Sequence, residues 1–212
     1  MKEVLRWIKA QHPHLTEDGL SMRVLIINGH PDPKASHLCD ALADAYADGA
    51  RAAGHEVARI DVRALDFPLL RSRHEWESEP LPPSLQAAQN AIGHAQHLMV
   101  VFPLWLGDMP ALFKGFLEQV MRPGFAVPKA ESFKSKPLAG RTARIVVTMG
   151  MPAFLYRLYY RAHSLRLLRR NVFGLVGIKT VGDAVVGSVE TLTESQRARW
   201  LARMHHWGRR LG

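Results

Sequence analysis

Arg23-Val-Leu-Ile-Ile-Asn-Gly-His-Pro-Asp-Pro33 decides the fold. Its first half is a short, β-branched, apolar run. Its second half is a cluster of turn residues that stops the run abruptly. A strand with no polar alternation is buried on both faces, which requires helices on both sides of its sheet. Two more stretches read the same way. His97-Leu-Met-Val-Val-Phe-Pro103 stops at a proline, and Arg144-Ile-Val-Val-Thr148 stops at Gly150-Met151-Pro152. Glu56-Val-Ala-Arg-Ile-Asp-Val62 alternates apolar and polar, as a strand near a sheet edge does. Lys179–Gly187 is a fifth candidate.

Helical patterns separate these strands. Ser36–Ala53 is alanine-rich and ends at Gly54; Leu85–His94 and Pro110–Met121 follow, the latter opened by a proline. Leu155–Arg170 reads as one helix, with Leu158, Leu165 and Leu168 on its buried side. Thr193–Arg210 begins with Thr193-Glu-Ser-Gln196, the pattern of a capping box. Alternating strands and helices predict a doubly wound parallel α/β domain over 22–212. Residues 1–21 read as an N-terminal extension, in which Val4, Leu5 and Ile8 have the spacing of a short amphipathic helix.

Composition narrows the classes further. The 212 residues are 47% apolar and 22% charged, values of a folded domain. A lone cysteine, Cys39, excludes a disulfide scaffold and a Cys-rich zinc module. The longest apolar run, Leu98–Leu106, is far short of a membrane span. The net charge of +9 favours anionic partners, among them nucleotides and acidic membrane faces. No nucleic-acid recognition motif accompanies it, so no nucleic-acid partner is expected.

In open parallel sheets the ligand lies beyond the carboxyl ends of the strands. That rule selects the loops 28–36, 102–110 and 148–152. The first leads into a helix start, where unpaired N–H groups suit phosphate, with Ser36 and His30 or Lys34 as further donors. It is neither GxGxxG nor GxxxxGK[ST]. The second carries Trp105 and Leu106 on irregular backbone, a flat apolar wall for a planar heterocycle or else a tryptophan capping the core. The third offers Gly150 for close backbone approach.

Together, Val24-Leu-Ile-Ile-Asn-Gly-His-Pro31 with Ser36, Phe67-Pro68, Phe102-Pro-Leu-Trp105, Gly107, Pro110-Ala-Leu-Phe-Lys-Gly115 and Thr148-x-Gly150 resemble the flavodoxin-like NAD(P)H:quinone reductase family. The resemblance implies a five-stranded sheet in the order 2-1-3-4-5 and non-covalent FMN or FAD, with NAD(P)H as co-substrate. It implies ping-pong hydride transfer to a quinone or similar acceptor, in the cytoplasm, by a homodimer whose partner chain completes the pocket. By position, His30, Ser36, His37 and Leu38 would hold phosphates. Pro103, Leu104, Trp105 and Leu106 would line the ring, and Thr148, Met149 and Gly150 its pyrimidine edge, through backbone N–H groups. Tyr156 and His163 would be the counterparts of the family's catalytic tyrosine and histidine, with Tyr159 and Tyr160 competing for the first role. The chain departs from the family at His37 and Leu38, where an aromatic and an asparagine are usual. It departs again at Met151, where a second glycine is usual.

Relatives that act as regulatory subunits leave a second role open, that of gating a partner such as a transporter. Arg157, Arg161, Arg166, Arg169 and Arg170 crowd one predicted helix. They read as a solvated face, an attractor for a 2′-phosphate, or a contact for an acidic partner or a peripheral membrane surface.

Overall fold

The apolar runs of the sequence form the centre of a five-stranded parallel sheet in the computed structural model, which describes residues 15–16, 19–34, 36–127 and 135–211. The strands are β1 (Arg23–Asn28), β2 (Glu56–Asp61), β3 (His97–Pro103), β4 (Thr142–Thr148) and β5 (Lys179–Val186), in the spatial order β2-β1-β3-β4-β5. All four pairings are parallel, and the β4–β5 pairing shifts register between Ala143 and Arg144. Every residue of β3 is buried, whereas the edge strand β2 alternates exposed and half-buried positions and fully buries only Ile60. The continuous and alternating hydrophobic patterns therefore report central and edge positions respectively.

Two apolar layers cover the sheet. Leu25, Ile27, Leu98, Val100, Phe102, Ile145 and Val147 meet α3 (Pro83–His94) and α4 (Ala111–Val120) on one face. Val24, Ile26, Met99, Val101 and Val146 meet α1 (Leu38–Ala52) and the C-terminal helix (Glu194–Arg210) on the other. The connection after β2 holds a 3-10 turn, Val62–Ala64, and a short helix, α2 (Arg73–Glu77).

The expected single helix 155–170 is broken. The chain forms α5 (Ala153–Leu158), turns through Arg161 and Ala162 at φ +50° and +48°, and resumes as α6 (His163–Leu167). A π-helical turn, Leu168–Phe173, and a last short helix, α7 (Gly174–Val176), complete it. Leu158 is exposed rather than buried, while Ala162, Leu165, Leu168 and Phe173 reach the core. The left-handed pair re-aims the chain and the π turn shifts its phase, so the apolar residues face the sheet although their spacing fits no single straight helix.

The C-terminal helix, α8, begins as expected. Thr193 Oγ1 accepts the Gln196 N–H, and the Gln196 side chain accepts the Thr193 N–H. It lies so close to α1 that a β carbon on Gly49 would stand 2.0 Å from the His205 carbonyl oxygen, and one on Gly208 would stand 2.1 Å from that of Tyr46. Beneath this crossing, Tyr46 Oη and Thr142 Oγ1 hold the two ring nitrogens of buried His97 at 2.8 and 2.7 Å. The Arg144 guanidinium lies 4.3 Å over the Trp207 ring.

In the N-terminal extension, Leu15–Thr16 and Gly19–Leu20 pair in antiparallel fashion. The expected helix around Val4–Ile8 lies outside the described residues.

Candidate active site at the carboxyl edge of the sheet

Asn28 ends β1 with its side chain fully buried, and it organises the first loop. Its Nδ2 donates to Asp40 Oδ1 (2.7 Å) and Asp61 Oδ1 (3.1 Å), and its Oδ1 accepts the His30 N–H (3.1 Å). Asp40, in the first turn of α1, accepts the His37 N–H and a two-pronged contact from Arg63 (2.8 and 3.1 Å). Arg59 bridges Asp40 and Asp61 and also pairs with Asp44. Burial alone would raise the Asp40 pKa. The hydrogen bonds from Arg63 and His37, with the charges of Arg63 and Arg59, outweigh it and hold the carboxyl below its usual value.

This cluster fixes the loop that follows. His30 is buried and stacks on His37 at 3.8 Å between ring centroids. Its pKa is lowered, first by burial and then by His37. The imidazole is therefore neutral near pH 7, and because Nδ1 accepts the Asp32 N–H, the proton sits on Nε2. Ser36 is exposed at φ +81°, so it is not the helix N-cap; His37 occupies that place. Leu38 and Cys39 open the helix with N–H groups that no preceding turn can satisfy. Cys39 itself is inert: burial pushes its thiol up to about 12, although Thr148 Oγ1 is 3.3 Å away.

The second loop leaves the sheet at buried Pro103. Leu104 donates its N–H to the Thr148 carbonyl (2.7 Å), binding the second loop to the third. Trp105 and Asp108 exchange backbone hydrogen bonds of 2.8 and 3.0 Å, closing a tight turn whose middle residues, Leu106 and Gly107, have φ +47° and +83°. Trp105 is 50% exposed and Leu106 fully so, which excludes the core-capping reading of the tryptophan. The Leu106 and Gly107 N–H groups make no backbone hydrogen bond among the described residues. Trp105 meets His30 edge-on at 6.2 Å, so the first two loops share one cleft.

The third loop is only partly available. Thr148 is buried beside Cys39, and Met149 lies in the core with its N–H given to the Val186 carbonyl. Thus the expected run of free N–H groups over Thr148–Gly150 is interrupted at Met149, and Gly150 is its exposed member.

The expected catalytic pair is separated in role. Tyr156 is 1% exposed, and its hydroxyl accepts the Leu165 N–H at 3.2 Å, bracing α6 against α5. Burial raises its pKa. His163 is exposed at the start of α6 and lines a cavity of about 500 Å³ with Gly107 and Asp108 of the second loop. Tyr159 and Tyr160 are exposed and packed edge to face at 4.9 Å. Asn28, Asp40, Arg59 and Arg63 were not singled out from the sequence. Their only signal was the coincidence of polar residues at the ends of β1 and β2 and at the start of α1.

The cleft has the features a flavin needs: a half-exposed indole wall, unpaired N–H groups in a tight turn, and a 15-residue helix aimed at it by its N-terminus. Among the described residues no cluster of side chains could hold a metal ion. No helix there is long and apolar enough to cross a membrane.

Known proteins place the chain further. It is 26% identical over 156 residues to rat NAD(P)H dehydrogenase [quinone] 1, covering 64% of this chain and 56% of that protein's length. It is 25% identical over 180 residues to an uncharacterized NAD(P)H oxidoreductase of Haemophilus influenzae, covering 83% of this chain and 89% of that one. The structure of an NAD(P)H:quinone oxidoreductase from Methanothermobacter marburgensis superposes with a TM-score of 0.74 at 26% identity, covering 90% of this chain and 97% of the other. The family profile described as "Flavodoxin-like fold" matches residues 22–207, and the chain belongs to that family.

Proposed function

We propose that the protein is a flavin-dependent NAD(P)H:quinone oxidoreductase using non-covalent FMN or FAD. The observation that carries this reading is the Trp105–Leu106 wall, exposed on a turn with unpaired N–H groups and edge-on to His30. The relatives' names support the substrate classes.

When bound, the flavin would supply reversible two-electron hydride chemistry between NAD(P)H and a quinone, the two substrates using one site in ping-pong order. Trp105 and Leu106 orient the ring and exclude water from one side of it. The Leu106, Gly107 and Gly150 N–H groups would hold the polar edge of the ring. Ser36, neutral His30 and the N–H groups of Leu38 and Cys39 hold the phosphate. Tyr156 acts through Leu165, as a positioning residue for α6. A cytoplasmic homodimer would cover the exposed Leu106 of the second loop and the exposed Phe154, Leu158 and Tyr159 on and just after α5.

The purified protein's visible spectrum tests this. Oxidised-flavin absorption bleached by NAD(P)H is the expected result. A colourless protein that cannot be reconstituted with FMN or FAD overturns the proposal. Trp105→Ala should weaken flavin affinity by about tenfold, the loss of one aromatic contact. Unchanged affinity in a fluorescence titration would remove Trp105 from the ring wall.

A further inference from the structure

Beside the second loop, Arg161, helix α6 and the π turn line an open cavity of about 500 Å³ whose polar lining is strongly cationic. Arg161, Arg166 and Arg170 face it together with His163, against the single carboxylate of Asp108. Asp108 Oδ1 is itself engaged by the Met109 N–H at 2.7 Å. Arg157, one turn earlier, is neutralised by Asp183 at 2.8 Å, but the three cavity arginines form no ion pair among the described residues. Ser164 also lines the cavity. It is 1% exposed beside the Tyr156 hydroxyl, and its own hydroxyl makes no well-formed hydrogen bond, an omission that a folded protein ordinarily avoids.

Three unpaired guanidinium groups and an orphaned buried hydroxyl are the complement of a multiply charged oxyanion. The cavity is larger than a bare anion requires and lies in the range of sites that take a small organic ligand. Gly107 and Asp108 join it directly to the loop that carries Trp105.

We propose that this cavity binds the adenosine 2′-phosphate of the hydride donor, making the enzyme selective for NADPH over NADH. Arg161, Arg166 and Arg170 take the phosphate oxygens, and Ser164 donates its free hydroxyl. The inference rests on the NAD(P)H reading of the cleft. The shared chemistry is a phosphomonoester dianion, which inorganic phosphate would also present.

Calorimetric titration with adenosine 2′,5′-bisphosphate and with 5′-AMP reads the site without turnover. The bisphosphate should bind about tenfold more tightly, the worth of a charged hydrogen-bond set, and Arg166→Gln with Arg170→Gln should erase the difference. In the flavin-loaded protein the same pair should lower the ratio of kcat/KM for NADPH over NADH by a similar factor. Arg166→Lys should restore part of it. Circular dichroism of the double variant guards against misfolding. Equal binding of the two nucleotides by the native protein, or an unaltered ratio in a folded double variant, overturns the proposal. So does inorganic phosphate binding as tightly as the bisphosphate, which would leave a bare anion site. A yellow protein that oxidises NADH and NADPH equally sinks this inference and spares the proposed function. A colourless protein that discriminates the nucleotides does the reverse.

Discussion

Gly49→Ala is expected to cost about 3 kcal/mol of stability, although alanine is the better helix former by about 1 kcal/mol. The added carbon would meet the His205 carbonyl at 2.0 Å and its carbonyl carbon at 2.7 Å. Both are backbone atoms inside α8, so no side-chain rotation relieves the overlap and the whole helix must retreat. Gly208 repeats the contact from the other side, against the Tyr46 carbonyl, so the retreat opens the layer containing Leu42, Tyr46 and Met204. Gly93→Ala in α3 is the control. There the new carbon finds Phe125 at 3.4 Å, a movable ring edge, and stability should change by less than about 1 kcal/mol. Urea denaturation of both variants decides the matter, and a Gly49→Ala midpoint equal to the native one would refute the backbone-contact account.

Acid should weaken the fold through His97. Burial, reinforced by the nearby charges of Arg144 and His55, lowers its pKa from 6.5 to about 3. Between those values the unfolded chain carries a proton on this histidine that the folded protein refuses. The unfolded state therefore binds more protons, and stability falls as pH drops through the window. The full contribution is present above 6.5 and is lost as pH approaches 3. Going from about pH 7.5 to about pH 5 should cost about 2 kcal/mol from this group alone. The lowered values of His30 and His55 act in the same direction. Urea midpoints across this range measure the loss, and the proton NMR titration of His97 identifies its source. A His97 resonance with an ordinary midpoint would contradict the assignment.

How much of this was legible in the sequence depended on whether a signal was local. β1, β3 and β4 could be read because helices bury both of their faces, leaving apolar runs that need no partner to interpret. The three loops followed from the topology alone, and Trp105 and Leu106 stood out because large apolar residues on irregular backbone are seldom accidental. The break at Arg161–Ala162 was invisible, since neither residue announces a left-handed conformation and the apolar spacing around them still suggests a helix. The Asp40 cluster was hidden for another reason. It joins β1, β2 and α1, and an aspartate in an alanine-rich helix looks like any solvated acid until Arg59 and Arg63 arrive from across the sheet. Met149 reads as an open backbone donor in the sequence because its partner, Val186, belongs to a strand dozens of residues later.

Asn28-Gly29 has a chemical consequence in time. This dipeptide is prone to deamidation, in which the glycine nitrogen attacks the asparagine amide and closes a cyclic imide. Here the amide is clamped between two carboxylates, and the attacking nitrogen is tethered to the Val101 carbonyl at 2.8 Å. The folded protein thus shields this amide, and the clock for that ageing reaction runs only while the chain is open.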